Sequence, residues 1–251
     1  MLLLEAEGIA KHFGGLQALE NVGFHITKGE LLSIVGPNGS GKTTLFNIIT
    51  GFYKPTKGRV LFEGNLISGL SPYKIARAGI GRTFQVTALF DNLTILDNVI
   101  VGFHRRTNSR IIDALMRDQF YRREEQQCLE KAKEVLNFVG LVGFEGEYAG
   151  RLPSFPRKRL AIAIALVSAP GLLLLDEPAA GLNVEEVDRL AALLKQIQES
   201  GITLCVIEHK MKFVMALSDR VMVLNEGRKI AEGTPVEVSR DRGVIAAYLG
   251  K

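Results

Sequence analysis

The 251-residue chain carries 47% hydrophobic and 23% charged residues, which excludes extensive disorder, and its length suits one domain with a sizeable insertion. A net charge of +4 is too small an imbalance to select a nucleic acid, a membrane surface or an anionic ligand. The longest apolar runs, such as Leu172 to Leu175 and Ala161 to Val167, fall far short of the roughly 20 residues a membrane helix needs, and two cysteines, Cys128 and Cys205, are too few for a disulfide framework and lack metal-ligand spacing.

The start, MLLLEAEGIA, has acids where a signal peptide needs a basic flank, so export is not expected. From Leu2 to Ile9 and around Val22 to Ile26 the pattern is short and strand-like, predicting a small antiparallel sheet. Lys28-Gly29-Glu30 then turns the chain into LLSIV, whose lack of polar alternation predicts a strand buried on both faces. That strand feeds a glycine-rich loop, and TTLFNIIT beyond it predicts a helix that Gly51 ends. RVLFEGNLI reads as a hairpin around Glu63-Gly64-Asn65.

From about residue 86 to 167, charged helical stretches such as Tyr121 to Val139 replace the strand signals, which predicts a helical insertion. Its arginine-rich segment, Phe103 to Gln127, reads either as a solvated helix face or as a partner-binding surface. The last third returns to α/β alternation, with strands expected at Leu172 to Asp176, Thr203 to Ile207 and Arg220 to Leu224, and helices from Glu185 to Glu199 and Lys210 to Leu217.

The glycine-rich loop, Gly36-Pro37-Asn38-Gly39-Ser40-Gly41-Lys42-Thr43, matches GxxxxGK[ST] in full. Glycines let such a backbone curl until several N–H groups point at the phosphates of ATP, and the following helix adds its positive N-terminus. Lys42 places a point charge near the β- and γ-phosphates, the Thr43 hydroxyl is the expected ligand of Mg²⁺, and Thr44 completes the nucleotide-binding set. Downstream, LLLLDE ends an apolar strand in two acids, where a parallel sheet presents side chains to a ligand. Asp176 is expected to hold Mg²⁺ through its water shell, and Glu177 to polarise the attacking water.

Over essentially the whole chain these residues resemble the nucleotide-binding subunits of ABC transporters. The resemblance implies an α/β fold: a P-loop NTPase (RecA-like) core, 1–85 and 168–251, with an antiparallel β subdomain and a helical insertion of about 86–167, all within a single ABC ATPase domain spanning 1–251. Phe13, in KHFGGLQAL, matches the aromatic that stacks on adenine, a core phenylalanine being the alternative. Gln85, in GRTFQ, matches the glutamine that touches Mg²⁺ or water, and His209, in VIEHK, matches the switch histidine that contacts the γ-phosphate and positions the catalytic water. Ala179 to Asn183, AAGLN, matches the loop that crosses to the partner subunit, with Asn183 where many relatives have aspartate.

GRTFQ, the long arginine-rich insertion, DEPAAGLN, EHKM and the ending EGTPVEV…AAYLG together look like the ATPases of the branched-chain amino-acid (Liv-type) uptake system. The partners this implies are a second ABC ATPase subunit, transmembrane permease subunits and, indirectly, a periplasmic or extracellular substrate-binding protein, with no nucleic acid. The implied place is cytoplasmic, peripheral on the inner face of the cell membrane.

One element departs from the family. ABC ATPases carry LSGGQ or LSYGQ at the start of a helix, where it completes the partner's nucleotide site; here Leu152-Pro153-Ser154-Phe155-Pro156 stands in that place. Aligned through KRLAIAIAL, Pro153 replaces the serine, Phe155 the glycine and Pro156 the glutamine. A one-residue slip recovers Ser154 but puts Pro156 at the glycine. Proline removes a backbone donor, and the Phe155 ring is expected to fill space that an approaching phosphate needs, although Pro156 suits a first helical turn. Arg157 and Lys158 read either as substitute charge or as a solvent-facing helix start.

The expectation is an ATPase subunit that energises an importer for branched-chain or other amino acids, paired as a heterodimer with a chain that supplies an intact signature. The second reading is a nucleotide-sensing subunit with little hydrolysis, against which Glu177 and His209 argue.

Overall fold

Two sheets carry the strands, and the computed structural model describes them within residues 1–83, 89–103 and 119–249. LLLEAEGIAKHF and LQALENVGFHIT form β1 (Leu2–Phe13) and β2 (Leu16–Thr27), an antiparallel ribbon that runs well past the short strands expected. β4 (Lys57–Phe62) and β5 (Asn65–Leu66) join it in the order β2-β1-β4-β5. Phe62 pairs with Asn65 across Glu63-Gly64, whose φ values of 49° and 75° are those of a two-residue type I′ turn.

The second sheet contains β3 (Leu31–Val35), β6 (Ile80–Arg82), β7 (Leu172–Asp176), β8 (Thr203–Ile207), β9 (Arg220–Asn225) and β10 (Arg228–Gly233), in the order β10-β9-β3-β8-β7-β6. Only the β9/β10 pair is antiparallel. Every residue of β3, β7 and β8 is buried, which is the physical content of their unbroken apolar runs. Because β3, β8 and β7 are neighbours and parallel, their carboxyl ends lie side by side and the loops that follow them leave from one edge.

The chain divides into two compact units, Met1–Gln85 with Gly171–Lys251, and Val86–Pro170. In the first, α1 (Lys42–Ile49) buries Leu45, Phe46, Ile48 and Ile49 in one cluster with Leu4, Ile9 and Leu19 of the ribbon and Leu32 and Ile34 of β3. That packing fixes the direction in which the glycine-rich loop enters the helix. The same unit holds α2 (Pro72–Arg77), α6 (Val184–Glu199), α7 (Met211–Leu217), α8 (Pro235–Arg240) and α9 (Arg242–Leu249). In the second unit α3 (Ile95–Phe103), α4 (Gln119–Phe138) and α5 (Ser154–Leu166) pack on one another. Gln85 and most of the arginine-rich segment lie outside the described residues. Among the described residues no helix is long and apolar enough to cross a membrane. Cys128 and Cys205 are buried and carry no disulfide, and burial pushes the Cys205 thiol pKa far up, as suits ordinary core residues.

Candidate active site

The loop after β3 needs glycine for two separate reasons of space. At Gly36, where φ is 153°, a Cβ would stand 2.0 Å from the Leu224 carbonyl oxygen and 2.7 Å from Ser40 Oγ. At Gly41, where φ is 102°, it would meet Leu19 Cδ2 at 2.6 Å and the Ala18 carbonyl oxygen at 2.8 Å. The helix that follows starts at Lys42 with no side-chain cap, so its positive end is left to an anion. Lys42 folds back over the loop: Nζ donates to the Gly36 carbonyl at 2.8 Å and the Pro37 carbonyl at 2.9 Å. Burial pushes the Lys42 ammonium pKa below its ordinary value, while the neighbouring Glu177 and Asp176 carboxylates draw it back up. Thr43 is exposed and Thr44 half-buried in the first turn of the helix.

Asp176 ends β7 as a buried acid with one oxygen engaged and one not. Its Oδ2 accepts from Arg82 Nη2 at 3.0 Å, whereas its Oδ1 has no hydrogen-bond partner among the described residues. Arg82 Nη1 also donates to Asn47 Oδ1 at 2.7 Å and Thr50 Oγ1 at 2.9 Å, so one guanidinium ties the end of β6 to both the phosphate-loop helix and the acid. Burial raises the Asp176 carboxyl pKa, and Arg82 opposes that rise. An orphaned buried carboxylate oxygen and an exposed hydroxyl at Thr43 are hard oxygen donors, the kind Mg²⁺ takes while keeping waters and phosphate oxygens in its remaining positions. Mg²⁺ therefore fits the residues present.

Glu177 follows at φ 47°, a left-handed conformation uncommon for a residue with a side chain, held by a hydrogen bond from its N–H to the Ile207 carbonyl at 2.9 Å. His209 Nδ1 stands 3.9 Å from Glu177 Oε2, near enough for charge to be felt and too far for a hydrogen bond. Gly36, Pro37, Asn38, Gly39, Glu177 and His209 share the lining of one cavity of about 690 Å³. A carboxylate and an imidazole facing a phosphate-type loop can polarise water on one side and contact a phosphate oxygen on the other.

Phe13 does not line that cavity. It ends β1 with 40% of its surface exposed, edge-on to Tyr53 at 5.2 Å between ring centroids and with Lys11 Nζ 4.9 Å from its own centroid. A core phenylalanine is therefore ruled out, and an accessible ring remains. Two residues of the site escaped the sequence reading. Arg82 sits in GRTFQ, but nothing in that spacing points to Asp176, 94 residues away. Tyr248, on α9, is hydrogen-bonded to the Gly36 backbone and lines the same cavity, and burial pushes its phenol pKa up. The only trace of it in the sequence is the AAYLG ending.

The Leu152-to-Pro156 segment corrects one expectation. α5 starts at Ser154 with Pro153 as its N-cap, and Pro156 sits in the first turn, where a missing N–H is tolerated. The Phe155 ring does not stand in front of the helix: it is 6% exposed and lies under the Arg159 guanidinium, 5.0 Å from its centroid. An apolar ring gains more from burial than from guarding a helix end. Arg157 is engaged within its own unit: Nη2 donates to Asp91 Oδ1 at 2.8 Å and Nη1 to the Ala149 carbonyl at 3.0 Å. Asn183, by contrast, has a plain task as the N-cap of α6, accepting from Glu186 N–H at 2.9 Å while Glu186 Oε2 accepts from Asn183 N–H at 3.0 Å.

A family model described as ABC transporter matches residues 19–180, and one described as Branched-chain amino acid ATP-binding cassette transporter matches 228–251. The chain is 42% identical over 250 residues to the high-affinity branched-chain amino acid transport ATP-binding protein BraF of Pseudomonas aeruginosa, covering 99% of this chain and 98% of the other. It is 40% identical, with the same coverage, to the corresponding protein LivG of Escherichia coli. Among solved structures, the ADP conformation of an ATP-binding cassette of an ABC transporter superposes with a TM-score of 0.88 at 34% identity, over the full length of both chains.

Proposed function

The chain belongs to the ABC transporter family as an ATP-binding, ATP-hydrolysing subunit, and we propose that it energises an importer for branched-chain or other amino acids. The substrate follows from the names of BraF and LivG, since a transported solute would be bound by membrane subunits and not by this chain. The observation that carries the catalytic reading is the single cavity shared by the phosphate loop, Glu177 and His209.

In this reading Gly36 to Thr44 bind the nucleotide phosphates, with Lys42 releasing the loop carbonyls to meet them, and Phe13 offers its exposed ring to adenine. Thr43, Gln85 and, through its water shell, Asp176 would hold Mg²⁺, which would supply charge neutralisation at the phosphates. Glu177 polarises the attacking water and His209 orients it against the terminal phosphate. The helical part, about 86–167, belongs to the same ABC ATPase domain, and the chain sits peripherally on the cytoplasmic face of a membrane against permease subunits.

The partner ATPase in this reading is a different chain. Leu152 to Pro156 has two prolines where a signature offers donors, so a homodimer would lack the charge-assisted contacts that close it on ATP. The test is turnover by the purified chain alone: MgATP binds, with slow hydrolysis that the partner subunit accelerates. Brisk, cooperative hydrolysis by this chain in isolation would sink the heterodimer.

A further inference from the structure

Two charged side chains flank His209 without a part in the reading above. Glu208 follows β8 directly and is completely buried, a place where a carboxyl group is costly unless donors surround it. They do: Oε1 accepts from the Ala179 N–H at 2.7 Å, and Oε2 accepts from the N–H of His209 at 3.1 Å and of Lys210 at 3.4 Å. Lys210 reaches the same turn from its other side, with Nζ donating to the Ala179 carbonyl at 2.8 Å and the Leu182 carbonyl at 3.2 Å. Ala179 is thus held through both of its backbone polar groups, one by an acid and one by an amine, and the residue between those two anchors is His209.

The turn begins at Glu177, whose own N–H is bonded to Ile207. Residues 177–182 and 207–210 are therefore cross-linked at both ends and in the middle.

The geometry points to Glu208 and Lys210 as a positioning pair, which fixes the Glu177-to-Leu182 turn against the strand end bearing His209 and so sets the spacing of the Glu177 carboxylate and the His209 imidazole. This rests on the hydrolytic reading of that site. Neither side chain lines the phosphate cavity, so each acts through Glu177 and His209 rather than on the nucleotide. A displacement of these two groups by a fraction of an ångström is enough to slow a reaction that depends on aligned water. The same anchors also set Leu182, the residue before the Asn183 cap, so the outward part of the turn and the histidine move as one body.

The test uses the assembled transporter carrying Lys210→Met, which keeps the stem and removes the donors. The expected result is a kcat about ten- to a hundredfold lower, with KM and the Kd for MgATP within about twofold, and faster deuterium exchange confined to peptides covering 177–183. Lys210→Arg, which keeps donors, is expected to recover most of the lost rate. Glu208→Gln is expected to act in the same direction as Lys210→Met; because Glu208 is buried and its variant is at risk of misfolding, Lys210→Met decides the matter. An unchanged kcat, unchanged exchange in 177–183, or a parallel loss of kcat, nucleotide affinity and thermal stability would each overturn the pairing. Glu177→Gln serves as the control: if the assembled transporter carrying it turns over ATP at an unchanged rate, the hydrolytic reading itself fails, which is a separate result.

Discussion

The helix at Lys42 and the helix at Ser154 begin alike in the chain and differently in chemistry. α1 starts behind a glycine at φ 102°, has no side-chain cap, and is entered by a loop in which two Cβ atoms would collide with backbone. α5 starts behind Pro153, carries Pro156 in its first turn, tucks Phe155 into its own unit and commits Arg157 to Asp91 and Ala149. Both are sound helices. Only the first is entered by a loop that leaves no room for side chains at two positions. The contrast separates two requirements that a signature sequence normally fuses: a helix tolerates proline and an aromatic at its start, but each proline there removes a backbone donor that an anion could use.

Breaking the complete side should give the largest effect. Glu177→Gln in the assembled transporter is expected to lower ATP turnover by about two to four powers of ten while MgATP still binds, read by phosphate release and a fluorescent nucleotide. An unchanged rate would move the chain to the nucleotide-sensing class. Next comes Arg82→Ala, which leaves Asp176 buried without its partner; a loss of about 3–5 kcal/mol in urea unfolding is expected. Sharpening the incomplete side should do less. Pro153→Ser with Pro156→Gln, leaving the buried Phe155 in place, is expected to raise hydrolysis by the isolated chain by roughly tenfold, through restored donors at the start of α5. The smallest effect belongs to Asn183→Asp, because either side chain caps α6, so thermal unfolding should shift by less than about 0.5 kcal/mol.

What the sequence made readable follows from the same contrast. LLSIV, LLLLD and TLCVI were recognisable as buried parallel strands because a strand covered on both faces has no reason to alternate, and the P-loop fold class follows from their order. The glycine-rich loop was recognisable because its backbone excludes side chains. The ribbon beyond Ile9 was not, since its residues near the tip are polar or exposed and only pairing with β2 holds them extended. Arg82 and Tyr248 were hidden because their partners, Asp176 and Gly36, are far away in sequence and no local period encodes the contact. The direction of Phe155 was misread because a motif alignment compares identities and carries no information about which way a ring folds.

The backbone at Glu177 has one more implication. A residue with a Cβ held at φ 47° gives up about 1 kcal/mol relative to glycine, which enters that region without strain. A library of this chain sorted for heat resistance alone would therefore drift toward glycine at position 177, and, with Glu177 polarising water as proposed, its hardiest members would be its least active. Thermal hardening of this ATPase has to be sought elsewhere in the chain.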